Sequence, residues 1–149
     1  GGDCTSFVSQ CIFAGSCQMN YTPETGWYYL SLQDRAPAWS GVEFLFNFLT
    51  SNRGAGPFGS EVGSGELLPG DVIQLGNREG RFYHSLIVTG TRGSTYLVSA
   101  HNNDAYNRPL DSYTYYKSRF LHIEGVRREE GSSGSCFDYV NSGGQSKAF

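Results

Sequence analysis

The chain has 149 residues and a formal charge of −3, a length that suits one domain with one sizeable core. Hydrophobic residues make up 38% and charged residues 17%, which is typical of a globular protein and not of a disordered chain. The slight acidity, without a stripe of Lys and Arg, argues against nucleic acid as a partner. No apolar run approaches the length of a membrane span. The composition and charge are therefore compatible with a globular enzyme or a globular binding module.

The first segment predicts an α-helix close to the start of the chain. Apolar residues recur at near-helical spacing between Phe7 and Ala14, and Gly15 is a natural end for the helix. Asp3 lies where an N-cap residue belongs. We therefore expect the residues just after Asp3 to form the first turn of a helix.

A second helix is predicted after a loop that covers about residues 16–37. Ser40 and Glu43 have the spacing of a capping box, in which each side chain bonds the backbone N–H of the other residue. The apolar face of this helix is predicted to consist of Val42, Leu45, Phe46 and Leu49. Residues 51–65 are rich in Gly, Ser and Asn and predict a loop.

The second half of the chain predicts strands. They cover residues 72–75, 82–89, 95–101 and 119–126, whereas residues 102–118 read as irregular. Helices first and antiparallel strands afterwards predict an α+β domain, with N-terminal helices packed on an antiparallel β-sheet.

The sequence gives one prediction for the C-terminal tail and another for the N-terminal end. We place the domain at residues 1–128 and expect residues 129–149, which are rich in Gly and Ser, to form a flexible tail. Because the chain begins at Gly1 with no initiator Met, we expect a fragment or a processed form whose upstream segment is missing.

Cys4 is the candidate nucleophile, because it falls in the first turn of the predicted helix. Unpaired N–H groups and the helix dipole stabilise a thiolate there, and the same N–H groups can stabilise an oxyanion. The alternative is that Cys4 is a small buried hydrophobic residue, but its polar neighbours Asp3, Thr5 and Ser6 argue against deep burial. No Cys-x-x-Cys pair occurs, so a zinc site is poorly supported.

His84 is the candidate base. A lone His in a strand is more often structural than catalytic, but a Cys early in the chain and a His on a later strand follow the papain-type order. His101 ends the next predicted strand, and we interpret His122 as structural or surface-exposed. No Gly-x-Ser-x-Gly, His-Glu-x-x-His or P-loop motif offers a rival chemistry.

The first motif also carries a family resemblance. Residues 2–11, Gly-Asp-Cys-Thr-Ser-Phe-Val-Ser-Gln-Cys, resemble the nucleophile motif of the amidase-domain family, which is similar to NlpC-type and other papain-like cysteine peptidases of bacteria. The agreement extends to about residue 126 and continues in Trp27-Tyr28-Tyr29, in Trp39 with the following helix, in residues 68–74, in residues 84–89 and in Ser99-Ala100-His101.

The resemblance implies roles for three residues. It implies Cys4 as nucleophile, His84 as general base and acid, and His101 as the group that orients His84. It also implies a papain-like fold that needs no cofactor or metal. Domains of this family usually carry a helical segment before the Cys motif, and none stands there in this sequence. Candidate substrate-binding residues are Asp3, Trp27, Trp39 and Ser85.

Hydrolysis of an amide bond through an acyl-enzyme on Cys4 is the leading functional hypothesis. The substrate implied by the resemblance is a cell-wall peptide or a similar peptide amide, and we expect an extracellular or cell-surface monomer. One alternative is a non-catalytic binding module that uses Trp27, Tyr28, Tyr29 and Trp39 as a stacking surface. Another is an acyltransferase that uses the same Cys and His.

The role of His101 follows from an expected hairpin between the second and third strands. A turn centred between Arg92 and Gly93 would place His101 directly opposite His84, with their Cβ atoms roughly 5 Å apart. A slip of one residue would move the two side chains to opposite faces of the sheet. A bulge would instead bring Asn103 or Asp104 into reach of His84.

Overall fold

The structure is a computed structural model that describes residues 2–101 and 106–129. It has the α+β organisation that the sequence predicts: three helices come first, and a six-stranded antiparallel sheet follows them along the chain. Within the described residues, no helix is long and apolar enough to cross a membrane. The predicted tail lies outside this part of the chain, apart from Glu129.

Helix α1 spans Gly2–Ser16 and lies against the sheet through one face. Thr5, Val8, Ser9 and Ile12 are buried on that face, at the spacing of three and four residues that one side of a helix requires. Asp3 lies inside the first turn, so the prediction that it is the N-cap is wrong. Its negative charge there still complements the positive end of the helix dipole.

Two helices follow where the sequence predicts one. Helix α2 (Pro37–Ser40) ends before helix α3 (Val42–Ser51) begins, and Gly41 is the N-cap of α3 without a side-chain cap bond. The predicted capping box of Ser40 and Glu43 is therefore wrong. The physical reason is Pro37, which starts a separate turn that includes Ser40 as its last residue. Of the predicted apolar face of α3, Leu45 and Leu49 are buried, together with Phe48.

The strands of the main sheet follow the order β3-β8-β4-β5-β6-β7, and every neighbouring pair is antiparallel. Four of them correspond to the predicted strands. Their bounds are β3 (Gly56–Val62), β4 (Val72–Gly76), β5 (Phe82–Arg92), β6 (Thr95–Ser99), β7 (Arg108–Pro109) and β8 (Lys117–Arg127). A separate hairpin of β1 (Tyr29–Ser31) and β2 (Asp34–Arg35) lies inside the predicted loop that precedes α2.

Strand β3 corrects the prediction of a loop over residues 51–65. It pairs with β8 along its whole length, with a register shift between Phe58 and Gly59. A Cβ atom at Gly59 would lie 2.2 Å from the carbonyl oxygen of His122, so a side chain at this position would collide with the partner strand. Gly59 belongs to the glycines from which a loop was predicted, and it is needed here for close contact between the two strands.

The sheet buries side chains on both faces. Val72, Ile87 and Leu121 pack with the three helices in one cluster, which also contains Trp27 and Trp39. Residues of the opposite parity form a second cluster on the other face, as the alternation of side chains along a strand requires. That cluster contains Ile73, Leu75, Leu86, Val88 and Val98, and it is covered by Leu67, Leu110 and the partly buried Tyr96, Tyr113 and Tyr115.

Candidate active site

Cys4 lies in the first turn of α1, as the sequence predicts, and it is a thiol rather than half of a disulfide. The backbone N–H of Ser85 on β5 donates to its Sγ atom at 3.4 Å, and the hydroxyl of Thr5 lies 3.8 Å from Sγ. Cys4 is only 8% exposed and Thr5 is fully buried, so the expectation that polar neighbours keep this segment out of the interior is wrong. The hydrogen-bonding capacity of Thr5 is met inside the protein instead.

His84 stands directly before the residue that donates to the thiol. Its Cα is two bonds from the nitrogen of Ser85 and therefore lies within about 6 Å of Cys4 Sγ. The ring of His84 contacts the rings of Tyr83 and Tyr113, with centroids 6.3 and 6.0 Å away. Burial lowers the pKa of His84 below its usual value, and the positive charge of Arg108 acts in the same direction. Both effects favour the uncharged imidazole, which is the form that can accept a proton.

His101 does not pair with His84 in the way that the sequence predicts. The predicted register requires Ile87 opposite Val98, but Ile87 pairs with Ser99, and the strand pair has a register shift between Val88 and Gly90. The physical reasons are this bulge and the position of the turn, since Arg92 pairs with Thr95 and leaves Gly93 and Ser94 as the turn residues.

The exposed ring of His101 lies beyond the end of β6, with its centroid 6.2 Å from that of Phe7. Phe7 follows Cys4 by about one helical turn, so His101 and His84 both lie against elements that hold the thiol. An orienting role for His101 stays a prediction. The alternatives Asn102, Asn103 and Asp104 lie outside the described residues.

A chain of hydrogen-bonded polar side chains, all of them buried except Glu43, extends from the contact between Cys4 and β5. The hydroxyls of Thr5 and Ser85 are 2.9 Å apart, and Gln74 Nε2 donates to Ser85 Oγ at 3.1 Å. Gln74 Oε1 accepts from Arg119 Nε at 2.8 Å, and the guanidinium of Arg119 also binds both carboxylate oxygens of Glu43 at 3.2 and 3.0 Å. This polar chain connects α1, β5, β4, β8 and α3. It fixes the strand that carries His84 against the helix that carries Cys4.

Sequence reasoning missed Gln74, Arg119 and Glu43. One signal was present: Gln74 is the single polar residue in the apolar run from Val72 to Leu75. A fully buried amide needs partners for both its oxygen and its nitrogen, so a polar side chain in such a strand indicates a hydrogen-bonded network.

The predicted substrate-binding residues do not form an exposed surface together. Trp27 and Trp39 have no exposed area, and their rings pack 4.8 Å apart inside the core. Ser85 is also fully buried, and its hydroxyl is hydrogen-bonded to the side chains of Thr5 and Gln74. Of the four residues, Asp3 alone is exposed. The burial of both tryptophans removes the main support for a binding module that stacks ligands on them.

Residues 1–124 match the model of the protein family described as "Putative amidase domain". The chain belongs to this family. It is also 35% identical over 130 residues to the uncharacterised protein YhbB of Bacillus subtilis strain 168, a match that covers 84% of this chain and 40% of YhbB. No solved structure matches the chain. Membership in an amidase-domain family suggests hydrolase activity.

Proposed function

We propose that this amidase domain hydrolyses an amide bond of a peptide through an acyl-enzyme on Cys4. The observation that carries the proposal is the hydrogen bond from the N–H of Ser85 to Cys4 Sγ at the start of α1, with His84 as the adjacent residue. A thiol at a helix N-terminus that also receives a backbone N–H is placed where a thiolate is stabilised. The arrangement is the one expected of a papain-like, NlpC-type cysteine peptidase.

In the proposed reaction, uncharged His84 takes the proton of the Cys4 thiol, and the sulfur attacks the carbonyl carbon of the amide. The negative charge of the tetrahedral intermediate develops on the carbonyl oxygen, where N–H groups in the first turn of α1 stabilise it. Protonated His84 then gives its proton to the departing amine as the C–N bond breaks. Water, deprotonated by His84, finally hydrolyses the thioester and regenerates the thiol.

The polar chain supplies the rigidity that this reaction needs. A misplacement of about 1 Å between reacting groups is enough to slow a reaction strongly. Gln74 and Arg119 are buried and hydrogen-bonded, so they restrict the movement of β5 relative to α1. They act on the reaction through Ser85 and do not touch the substrate.

We assign His101 the role of orienting His84, and Asp3 a contact with the substrate. Asp3 is exposed next to Cys4, so its carboxylate is able to reach a group of the substrate that lies over the thiol. The proposed substrate is a cell-wall peptide or a similar peptide amide, and the proposed location is extracellular or on the cell surface. Cys17 is disulfide-bonded, which supports that location because disulfides persist in oxidising compartments.

Activity measurements on matched variants test the proposal. Against a panel of cell-wall peptides, Cys4→Ser lowers turnover by on the order of 10³-fold or more, because a hydroxyl is a far weaker acid than a thiol. Cys11→Ser, which changes a thiol on the same helix, leaves turnover within about twofold of the wild type. His84→Ala lowers turnover by on the order of 10²-fold or more, since a general base is lost. Equal activity of Cys4→Ser and Cys11→Ser would reject the proposal.

A further inference from the structure

The ring of Tyr113 contacts the imidazole of the proposed base, His84. Their centroids are 6.0 Å apart, and the ring planes are tilted by 43°. Tyr113 is partly buried against the second apolar cluster of the sheet, and its backbone N–H donates to the carbonyl oxygen of Leu110. Side chains that pack in this way have little freedom to turn. Tyr113 therefore presents a fixed ring to His84.

Arg108 packs on the same tyrosine. Its Cζ atom lies 4.0 Å from the centroid of the Tyr113 ring, close enough for a guanidinium to stack on an aromatic face. Ser112 holds the guanidinium in place, because Nε donates to its Oγ at 2.7 Å and Nη2 donates to its carbonyl oxygen at 3.0 Å. The backbone of Arg108 belongs to β7 and pairs with Val98 of β6. Arg108 and Tyr113 thus form a rigid pair beside the imidazole.

A further contact connects the loop of Tyr113 to β5. The hydroxyl of Tyr83 donates to the carbonyl oxygen of Thr114 at 3.4 Å. The ring of Tyr83 also stacks on that of His84, with centroids 6.3 Å apart. Two consecutive loop residues therefore contact two consecutive residues of β5. The imidazole touches one aromatic ring from each segment, and these contacts restrict its orientation.

The pair also brings a positive charge towards His84. Burial lowers the pKa of His84, and the positive charges of the α-amino group of the chain and of Arg108 lower it further. Among residues 2–101 and 106–129, no carboxylate lies within ion-pair distance of Arg108, so its charge is not neutralised. Burial raises the pKa of Tyr113, so its phenol adds no negative charge at neutral pH.

The other charged or titratable groups near His84 come from several elements. On β4 the partner of His84 is Leu75, which carries no charge. Lys117 and Arg119 on β8 lie over the ring of Phe82 instead of the imidazole. The side chains that can titrate are those of Cys4 on α1, Tyr83 on β5 and His101 after β6.

We propose that Tyr113 and Arg108 form a positioning unit for His84, which holds the imidazole in one orientation beside a fixed positive charge. The inference rests on the proposed function, because the reaction at Cys4 is what makes His84 a base. The unit adds ring contact and charge to the orienting role assigned to His101. Arg108 disfavours the imidazolium, so His84 accepts the thiol proton at a lower pH than it would without this charge.

An NMR titration of the His84 ring tests the effect of the charge without any substrate. The Cε1–H resonance, assigned by its loss in His84→Gln, is followed with pH in the wild type and in Arg108→Gln. We expect a higher pKa of His84 in Arg108→Gln, because a charge that disfavours the imidazolium is lost. Arg108→Lys keeps a positive charge and should keep this pKa closer to that of the wild type. An equal pKa in the wild type and Arg108→Gln would overturn the proposal.

Arg78→Gln is the matched control for Arg108→Gln. The guanidinium of Arg78 also lies over a tyrosine ring, that of Tyr116 at 4.8 Å, and its Nη2 donates to the hydroxyl of Tyr116 at 2.8 Å. Because these contacts do not involve Tyr113, the substitution should leave both the pKa of His84 and the turnover unchanged. An equal rise of this pKa in both variants would mean a general effect of net charge and would also overturn the positioning unit.

Turnover of a cell-wall peptide tests the ring contact. Tyr113→Leu removes the ring and should lower kcat about tenfold or more with KM within about twofold, because a misoriented base slows the reaction more than it weakens binding. Tyr113→Phe keeps the ring and should recover most of this loss. In Arg108→Gln the acidic limb of the pH profile of kcat/KM should move to higher pH, in the same direction as the pKa of His84.

The two measurements separate failure of this inference from failure of the proposed function. A wild type without hydrolase activity would reject the reaction at Cys4, and the NMR titration would still decide whether Arg108 acts on His84. If the wild type is active, a kcat of Tyr113→Leu equal to that of the wild type would overturn the positioning unit alone.

Discussion

At the scale of single residues, the chemistry depends on how differently two thiols of one helix are placed. Cys4 receives the N–H of Ser85 at the first turn of α1. Cys11 lies two turns later, where burial raises the pKa of its thiol to about 11. The two thiols of this helix thus have different surroundings, and the thiol of Cys11 stays protonated at neutral pH.

This difference predicts a pattern of alkylation. At pH 7 and limiting iodoacetamide, Cys4 should be carboxamidomethylated before Cys11 in the folded protein, because the thiolate is the reacting species. Peptide mapping by mass spectrometry measures the two rates, and the same reaction in urea serves as the control, where the difference should disappear. Faster labelling of Cys11 in the folded chain would contradict the assignment of the nucleophile.

The lowered pKa of His84 predicts a dependence of stability on pH. Near pH 6.5 the unfolded chain binds more protons at this position than the folded chain, so the free energy of unfolding rises with pH through that range. This stability is lost as the pH falls below about 6.5, the usual pKa of histidine, because protonation then places a charge on the buried ring. Urea unfolding of the wild type and of His84→Gln at pH 5 and pH 7.5 measures the effect. The gain between these pH values should be smaller in the variant, and an equal gain would show that His84 titrates normally.

At the scale of elements, the site is held together by contacts between segments that are distant in sequence. Gln74 on β4 accepts from Arg119 on β8 and donates both to Ser85 on β5 and to the carbonyl oxygen of Val42 on α3. One amide therefore joins three strands and a helix. Its removal leaves a buried guanidinium and a buried hydroxyl without that partner.

We expect Gln74→Ala to lower the free energy of unfolding by about 1.5–3 kcal/mol, the range for hydrogen bonds to charged groups. Urea unfolding monitored by tryptophan fluorescence reports the change, since Trp27 and Trp39 lie in the adjacent core. Gln10→Ala is the matched control, because Gln10 Nε2 makes only a long 3.5 Å contact with Ser6 Oγ within α1. Similar losses in the two variants would mean that the polar chain adds little stability.

The close contact of β3 with β8 gives another prediction. In Gly59→Ala the new Cβ would meet the carbonyl oxygen of His122 at 2.2 Å, so one of the paired strands must shift. We expect a loss of about 2 kcal/mol or more in the free energy of unfolding. Gly65→Ala adds the same atom where nothing lies within 4 Å and should change stability by less than about 0.5 kcal/mol. A melting temperature of Gly59→Ala equal to that of Gly65→Ala would contradict the described register.

The same elements explain which features of the fold could be predicted from sequence. Helix α1 and the apolar strands β4, β5 and β8 have clear periodicity, and their positions agree with the prediction within a few residues. Strand β3 was missed because its glycines serve contact with β8, and contact of that kind leaves no local signal. The hairpin register was missed for two reasons: the turn lies at Gly93 and Ser94 instead of being centred between Arg92 and Gly93, and the turn sequence carries no signal for the bulge between Val88 and Gly90.

At the scale of the whole molecule, the two faces of the sheet have different structural roles. One face packs with α1 and holds Cys4 against β5, and the other forms a second apolar cluster around Leu86 and Val88. The position of Cys4 at a helix start could be predicted, because a nucleophile motif is local in sequence. The burial of Trp27 and Trp39 could not, because an aromatic residue packs equally well in a core or in a cleft.

The central claim is that amide hydrolysis passes through a thioester on Cys4. The most direct measurement is rapid acid quenching of the protein during turnover of a cell-wall peptide, followed by peptide mapping of the acylated residue by mass spectrometry. We predict the mass of the acyl part of the substrate on the peptide that contains Cys4, and its absence in Cys4→Ala. Turnover without an adduct on Cys4, at a rate that Cys4→Ala retains, would contradict the claim.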